Sequence, residues 1–329
     1  MKRAMVLIFT LLFIVAVISG CGGGSEDPRE DLDLSSISGE NWMSHIPGWK
    51  QLSEFTIPGT HNSGTYNYKG ICKKQAGCQD RNITLQLEYG VRFLSGRIGI
   101  HKGEPYIWHG NICKNANVSF YQLLLSVRNF LVKNQEEAVI ICFKPDSPKD
   151  SRKVAEQIEK VLNYDDFRAM IWDEDYVPTL DEVRGRIIYW RRYKEGSGKG
   201  LYIDMTTLGT DTSYLDYQTT LFYEDLWKCP IKQYLKKYEQ VSSHLDLARD
   251  KAGAAPDDRF NFFITWTNAI DSGLPEPITW AKAMNKWLIP TLETYESHVP
   301  ENLGLIAVDF VDFYVARSIF TLNFPKMER

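Results

Sequence analysis

The sequence predicts an α/β fold, a (β/α) barrel of the TIM type in one large domain. Three observations carry that prediction. Short continuous apolar runs recur along the chain, as suits parallel strands covered on both faces by helices. Stretches with apolar residues at spacings of three and four lie between them, as suits amphipathic helices. The apolar runs stop abruptly at polar residues able to do chemistry, and a barrel gathers such residues at one mouth, at the C-terminal ends of its strands. A doubly wound open sheet would gather some of them too.

The first strand-like lead runs into Ile57 to Tyr66, IPGTHNSGTY. Here Pro58-Gly59 predicts a sharp turn, and the small residues that follow allow close approach of backbone or ligand, which places His61 at a strand end. The later runs are Gly90 to Leu94 before Arg97, Tyr106 to Trp108 before His109, and Ala138 to Phe143 before Lys144 and Asp146. They continue with Ile187 to Trp190 before Arg191 and Arg192, Phe262 to Trp266, and Leu305 to Val308 before Asp309. Helices are expected over Phe120 to Lys133, Ser151 to Leu162 and Ile278 to Tyr295.

The N-terminus has a different composition. Two cations, an apolar run and then Ile18-Ser19-Gly20-Cys21 read as a secretory signal over residues 1–20. The small residues before Cys21 resemble a bacterial lipobox, which makes Cys21 the lipidated first residue of an exported lipoprotein anchored in the outer membrane or at the cell surface. Residues 21–40 are glycine-rich and acidic and read as a flexible tether. The folded domain is expected over residues 41–329, a length that buries a large core.

The formal net charge is −4 and no basic block is present, which argues against a nucleic-acid partner. Of the cysteines after Cys21, namely Cys72, Cys78, Cys113, Cys142 and Cys229, the spacing matches no zinc site. Cys72 and Cys78 close a short loop and are the expected pair. The sequons at Asn82 and Asn117 are expected to be silent in a bacterial lipoprotein. Trp227, Trp266, Trp280 and Trp287 could supply rim residues for a bilayer, though most such tryptophans belong to the core.

Two histidines, several cations and acids at one mouth suit a phosphate ester, because cations hold the anion while imidazoles move protons near neutral pH. IPGTHNSGTY, GVRFLSGRIG, YIWHG, VIICFKPD, RIIYWRRY and LIAVDF, in this order, resemble the bacterial phosphatidylinositol-specific phospholipase C family, whose catalytic domain is a distorted (β/α) barrel. The resemblance runs from about Trp42 to the C-terminus. It implies metal-independent cleavage, with no cofactor, of phosphatidylinositol or a glycosyl-phosphatidylinositol at a membrane surface by a monomer. The products would be diacylglycerol and a 1,2-cyclic inositol phosphate.

By the same resemblance His61 is the general base, His109 the general acid, Arg97 the group that stabilises phosphoryl charge, and Asp309 the carboxylate that orients the base. Lys144, Asp146, Arg192 and Asp225 hold the inositol hydroxyls, and Trp227 stands where the family has a tyrosine. Two positions depart from the pattern. Asn62 replaces the aspartate that supports the acid histidine, and Ser95 replaces another aspartate. As an amide, Asn62 is expected to accept a hydrogen bond from an imidazole N–H and fix its tautomer. Calcium-dependent relatives carry His-Asn at this point, but a guanidinium at Arg97 would repel a cation, so no metal is expected. Two alternatives stand beside this reading: another phosphodiesterase on the same barrel, and a catalytically impaired binder of inositol phosphates or glycans.

Overall fold

In the computed structural model the described residues are 36–110, 113–205, 209–216, 218–254, 259–270, 276–297 and 300–325. Cys21, the signal and most of the tether lie outside them. Twelve strands form one sheet. They are β1 (Ile57–Thr60), β2 (Phe93–His101), β3 (Glu104–Trp108), β4 (Val139–Pro145), β5 (Ile171–Trp172) and β6 (Ile187–Arg191), followed by β7 (Leu201–Tyr202), β8 (Gly209–Tyr214), β9 (Thr219–Asp225), β10 (Gly253–Ala254), β11 (Phe260–Trp266) and β12 (Leu305–Val308). The helices are α1 (Gly70–Ala76), α2 (Ile83–Glu88), α3 (Phe120–Lys133), α4 (Ser151–Leu162), α5 (Leu180–Val183), α6 (Tyr234–Lys251), α7 (Pro277–Glu293) and α8 (Phe313–Phe320).

The hydrogen-bonded path runs β5-β6-β4-β2-β1-β12-β11-β9-β8. From β5 to β9 every neighbour on it is parallel. Among the described residues no pairing joins β5 to β8, so the sheet curls as a barrel without closing by backbone hydrogen bonds. The interior strands are buried along their length, as in Ile57 to Thr60 and Leu305 to Val308, which explains why they read as unbroken apolar runs. Helix α3 begins at a capping box in which the Ser119 side chain accepts from the Gln122 N–H while Gln122 reaches back to Ser119.

Two expectations are corrected. Pro58-Gly59 lies inside β1 and does not turn. Pro58 accepts from the Arg92 N–H through its carbonyl, and Gly59 is there for space, since a Cβ would come within 2.9 Å of Phe93 and 3.1 Å of Leu305. The turn comes three residues later, at Asn62, whose φ of 46° is in the left-handed region that asparagine tolerates better than most residues. Tyr106 to Trp108 is not a parallel barrel strand. It belongs to β3, which folds back antiparallel on β2 through a turn at Lys102 and Gly103, both with positive φ.

Candidate active site

Register puts the first two groups together. β1 and β12 are parallel with Thr60 opposite Val308, so the residues that follow, His61 and Asp309, leave neighbouring strand ends side by side. The His61 N–H donates to the Val308 carbonyl at 3.0 Å, and the Nδ1–H donates to Asp309 Oδ1 at 2.8 Å. The chain then bends sharply after each of the three central residues. Asn62 follows His61 with φ 46°, Gly110 follows His109 with φ 75°, and Phe310 follows Asp309 with φ 49°. For a bulky residue such as Phe310 this is a strained conformation, held by donation of its N–H to the Cys78 carbonyl at 2.7 Å.

The cations come from consecutive strands in register. Arg97 on β2 is opposite Lys144 on β4, and Arg192, one residue past β6, follows the Phe143–Arg191 pair. Arg192 lies 3.8 Å from Asp225, at the end of β9, and over the Trp266 ring. The row is electrostatically costly. Arg192 first, then burial and Arg97, pull Lys144 down to about 7. These residues, with His61, Asn62, His109, Asp309 and Trp227, line a cavity of about 270 Å³. Asp146 does not line it. Its Oδ1 accepts from the Gly110 N–H at 3.0 Å and lies 3.6 Å from Arg97, so it holds the turn after His109.

Hydrogen bonding fixes the tautomers. His109 Nδ1 lies 2.9 Å from the Ala76 carbonyl, which can only accept, so Nδ1 carries the proton and Nε2 is a lone pair. The same argument applied to Asp309 leaves His61 Nε2 unprotonated. Asn62 Nδ2 stands 2.9 Å from His61 Nε2 and 3.3 Å from His109 Nε2. The amide therefore donates to the rings, and the expectation that it accepts from an imidazole N–H is corrected. Both ring protons are already committed to Asp309 and Ala76, and what remains on each ring is an acceptor. Burial first, then Arg97, lowers His109 to about 3. Ser95, the other departure, caps the end of β1: its Oγ donates to the Thr60 carbonyl at 2.9 Å.

Several site residues escaped the sequence reading. Gln79 donates from Nε2 to the carbonyls of His61 and Val308, at 3.0 and 2.9 Å, and so staples the two strand ends. Cys78 lies in the cavity wall, with its sulfur 3.5 Å from Asn62 Nδ2, and burial holds its thiol well above the ordinary range. It is a free thiol: the disulfide joins Cys72 to Cys113, not to Cys78. Cys72 sits in α1, while Cys78 follows the helix and turns inward, so proximity in sequence did not decide the pair. No strand pattern marks Gln79 or Cys78. Of the four tryptophans, Trp266 and Trp280 are buried, Trp287 is half-buried against Tyr238, and Trp227 is 43% exposed.

His61, Cys78 and Asp309 bring one possible metal-ligand atom each within 4.8 Å of one another. A set with one carboxylate and one sulfur suits a soft cation better than calcium, which takes many oxygens.

Residues 50–193 match the phosphatidylinositol-specific phospholipase C X domain. Over this segment the chain is similar to that family. The X domain thus holds His61, Arg97, His109 and Lys144, while Asp225, Trp227 and Asp309 come from the chain beyond it. The chain is 29% identical over 238 residues to a 1-phosphatidylinositol phosphodiesterase of Staphylococcus aureus, and 29% over 197 residues to one of Listeria monocytogenes. Those matches cover 68% and 57% of this chain but 66% and 60% of the relatives. The chain thus spans less than two thirds of the length of these curated relatives. In fold it resembles the phosphatidylinositol-specific phospholipase C of S. aureus, with a TM-score of 0.75 and 22% identity over 88% of this chain and 98% of that one. For the L. monocytogenes enzyme the TM-score is 0.70 at 21% identity, over 87% and 99%.

Proposed function

We propose that residues 41–329 form a phosphatidylinositol-specific phospholipase C domain, which cleaves phosphatidylinositol or a glycosyl-phosphatidylinositol without a metal. One observation carries this reading: the His61–Asp309 pair faces His109 across a cavity walled by Arg97, Lys144 and Arg192. His61 Nε2 takes the proton of the inositol 2-hydroxyl, and Asp309 stabilises the imidazolium that forms. The freed oxygen attacks phosphorus in the same molecule. The phosphorus–oxygen bond to diacylglycerol then breaks, Arg97 balances charge on the phosphoryl oxygens, and His109, which takes up a second proton from solvent at Nε2 once the anionic substrate is bound, delivers that proton to the leaving oxygen. Lys144, Arg192 and Asp225 hold ring hydroxyls. Asp146 supports this step through Gly110, and Trp227 covers the mouth.

His109 is neutral before substrate binds, because burial and Arg97 hold it near 3. The phosphodiester brings a negative charge that opposes Arg97 and raises the affinity of Nε2 for the second proton that the ring must gain from solvent to act as the acid. The low resting value also favours a second reading, an impaired binder of inositol phosphates. Vesicles containing phosphatidylinositol separate the two. Release of diacylglycerol that falls about 10² to 10⁴-fold in His61→Ala supports the lyase. Binding of inositol phosphate with no release by the wild type supports the binder.

The membrane surface fits the same face. Among the described residues no helix is long and apolar enough to cross a bilayer. Helix α1, whose Ala76 carbonyl holds His109, exposes Ile71, Lys73 and Lys74, and Trp227 is exposed at the cavity. An apolar side chain flanked by lysines suits an anionic interface. A lipidated Cys21 on the tether would keep the domain at that interface.

A further inference from the structure

The Cys72–Cys113 disulfide joins the two segments that hold His109. On one side, Cys72 lies in α1, the helix that ends at Ala76, whose carbonyl accepts from His109 Nδ1 at 2.9 Å. On the other side, Cys113 is paired with His109 itself through the main chain, the His109 N–H donating to the Cys113 carbonyl at 3.4 Å. The Tyr68 hydroxyl, just before α1, donates to the same carbonyl. Ring and backbone of His109 are thus each held by one half of the disulfide. Among the described residues no other covalent link ties α1 to its surroundings, which otherwise hold it through the buried Ala76 and an exposed Lys74–Glu276 ion pair: seven residues make an intrinsically weak helix, and its outer face, including Ile71, is exposed.

We propose that this disulfide is a positioning element for His109, and that a dithiol reductant acting on it switches the site to a low-activity state. This rests on His109 acting in the reaction proposed above. In reduction the Cys72–Cys113 bond breaks, two protein thiols form, and the dithiol becomes a disulfide, so that electrons and protons balance. With the link cut, α1 and the segment at Cys113 are joined only by non-covalent contacts such as the Tyr68 hydrogen bond, and the two move more freely against each other. The Ala76 carbonyl no longer fixes the ring in its buried place. The groups acting on His109 are Arg97 and Lys144 from β2 and β4, His61 beyond β1, and the Ala76 carbonyl from α1. Burial is the largest of these effects, so loosening moves the ring back toward the ordinary histidine range. A misplacement of about 1 Å at a catalytic group can cost about 10²-fold in rate.

The test uses the full chain, oxidised and then reduced with a dithiol, with alkylation confirming two new thiols and circular dichroism following the fold. Histidine ring signals are titrated by ¹H–¹³C NMR, and phosphatidylinositol cleavage is measured on vesicles in parallel. On reduction, the fold should stay intact while the His109 titration rises by at least one unit from near 3. Turnover should fall roughly 10-fold to 10²-fold with KM changed less than about twofold, and oxidised glutathione should restore both. Cys72→Ser with Cys113→Ser should behave as the reduced form and ignore reductant. An unchanged His109 titration in the reduced protein and in the double variant would overturn the proposal, as would loss of activity only in step with unfolding. The ring titration reads His109 even if phosphatidylinositol is not the substrate. Absence of cleavage by the oxidised protein therefore counts against the function, and a fixed titration counts against the disulfide's role.

Discussion

Replacing Asn62 with aspartate puts a carboxylate where an amide nitrogen now meets both histidines, at 2.9 Å from His61 and 3.3 Å from His109. An aspartate oxygen accepts where Nδ2 donates, so the exchange favours a protonated Nε2. At 3.3 Å and an effective dielectric of about 20, a unit charge pair is worth about 5 kcal/mol, or roughly 3.5 pKa units. Part of that is lost to burying the new carboxylate at a position only 2% exposed, so a net rise of roughly two units is expected for His109. From about 3, this brings the ring to around 5 and increases its protonated fraction at neutral pH about 10²-fold. Titration of the ring by ¹H–¹³C NMR measures the shift directly. A pH–rate profile should show its alkaline limb moving upward by a similar amount. A shift under half a unit in the folded variant would refute the reasoning, because a carboxylate at this distance cannot be silent in a buried site.

Three further outcomes are expected. Arg97→Lys should lower turnover about 10² to 10³-fold, as for loss of a donor to developing charge, because an ammonium cannot reproduce the guanidinium's paired contacts; steady-state kinetics on vesicles checks it. The protein should lose stability in acid, since His109 and His244 are held near 3 and 4 against an ordinary value near 6.5 in the unfolded chain. The unfolded state then binds more protons, so stability is present above about pH 6.5 and falls by about 1.4 kcal/mol per pH unit per histidine as pH drops toward 4, measurable by urea unfolding. Cys21→Ser should release the domain from membranes or block its processing without changing the activity of the barrel, and mass spectrometry of the mature N-terminus should find Cys21 acylated in the wild type.

The parts of the fold legible in the sequence are those where burial is uniform. Ile187 to Trp190 and Leu305 to Val308 read as strands because both faces are covered, and α3 and α4 end where their apolar spacing ends. The Lys102-Gly103 hairpin was passed over because an apolar run carries no direction, so β3 could be parallel or antiparallel. Strand β8, Gly209–Tyr214, is polar and lies at the end of the sheet path, and it left no apolar run to find. Within the site, histidines, arginine and aspartate were legible because a strand end followed by a chemical group is a local pattern. The roles of Gln79, Cys78 and the Cys72–Cys113 link are tertiary. Each depends on residues more than thirty positions away in sequence, or on a turn with no periodicity. Asn62 was found but its polarity was reversed, since only the partners of both Nδ1 atoms reveal which atom it must present.

The most direct test of the central claim is ³¹P NMR of phosphatidylinositol vesicles with the purified soluble domain in the presence of chelator. The account predicts conversion of the phosphodiester signal to that of a 1,2-cyclic inositol phosphate, with diacylglycerol released in equal amount. An unchanged phosphodiester signal, or turnover that appears only after a divalent cation is restored, would contradict it.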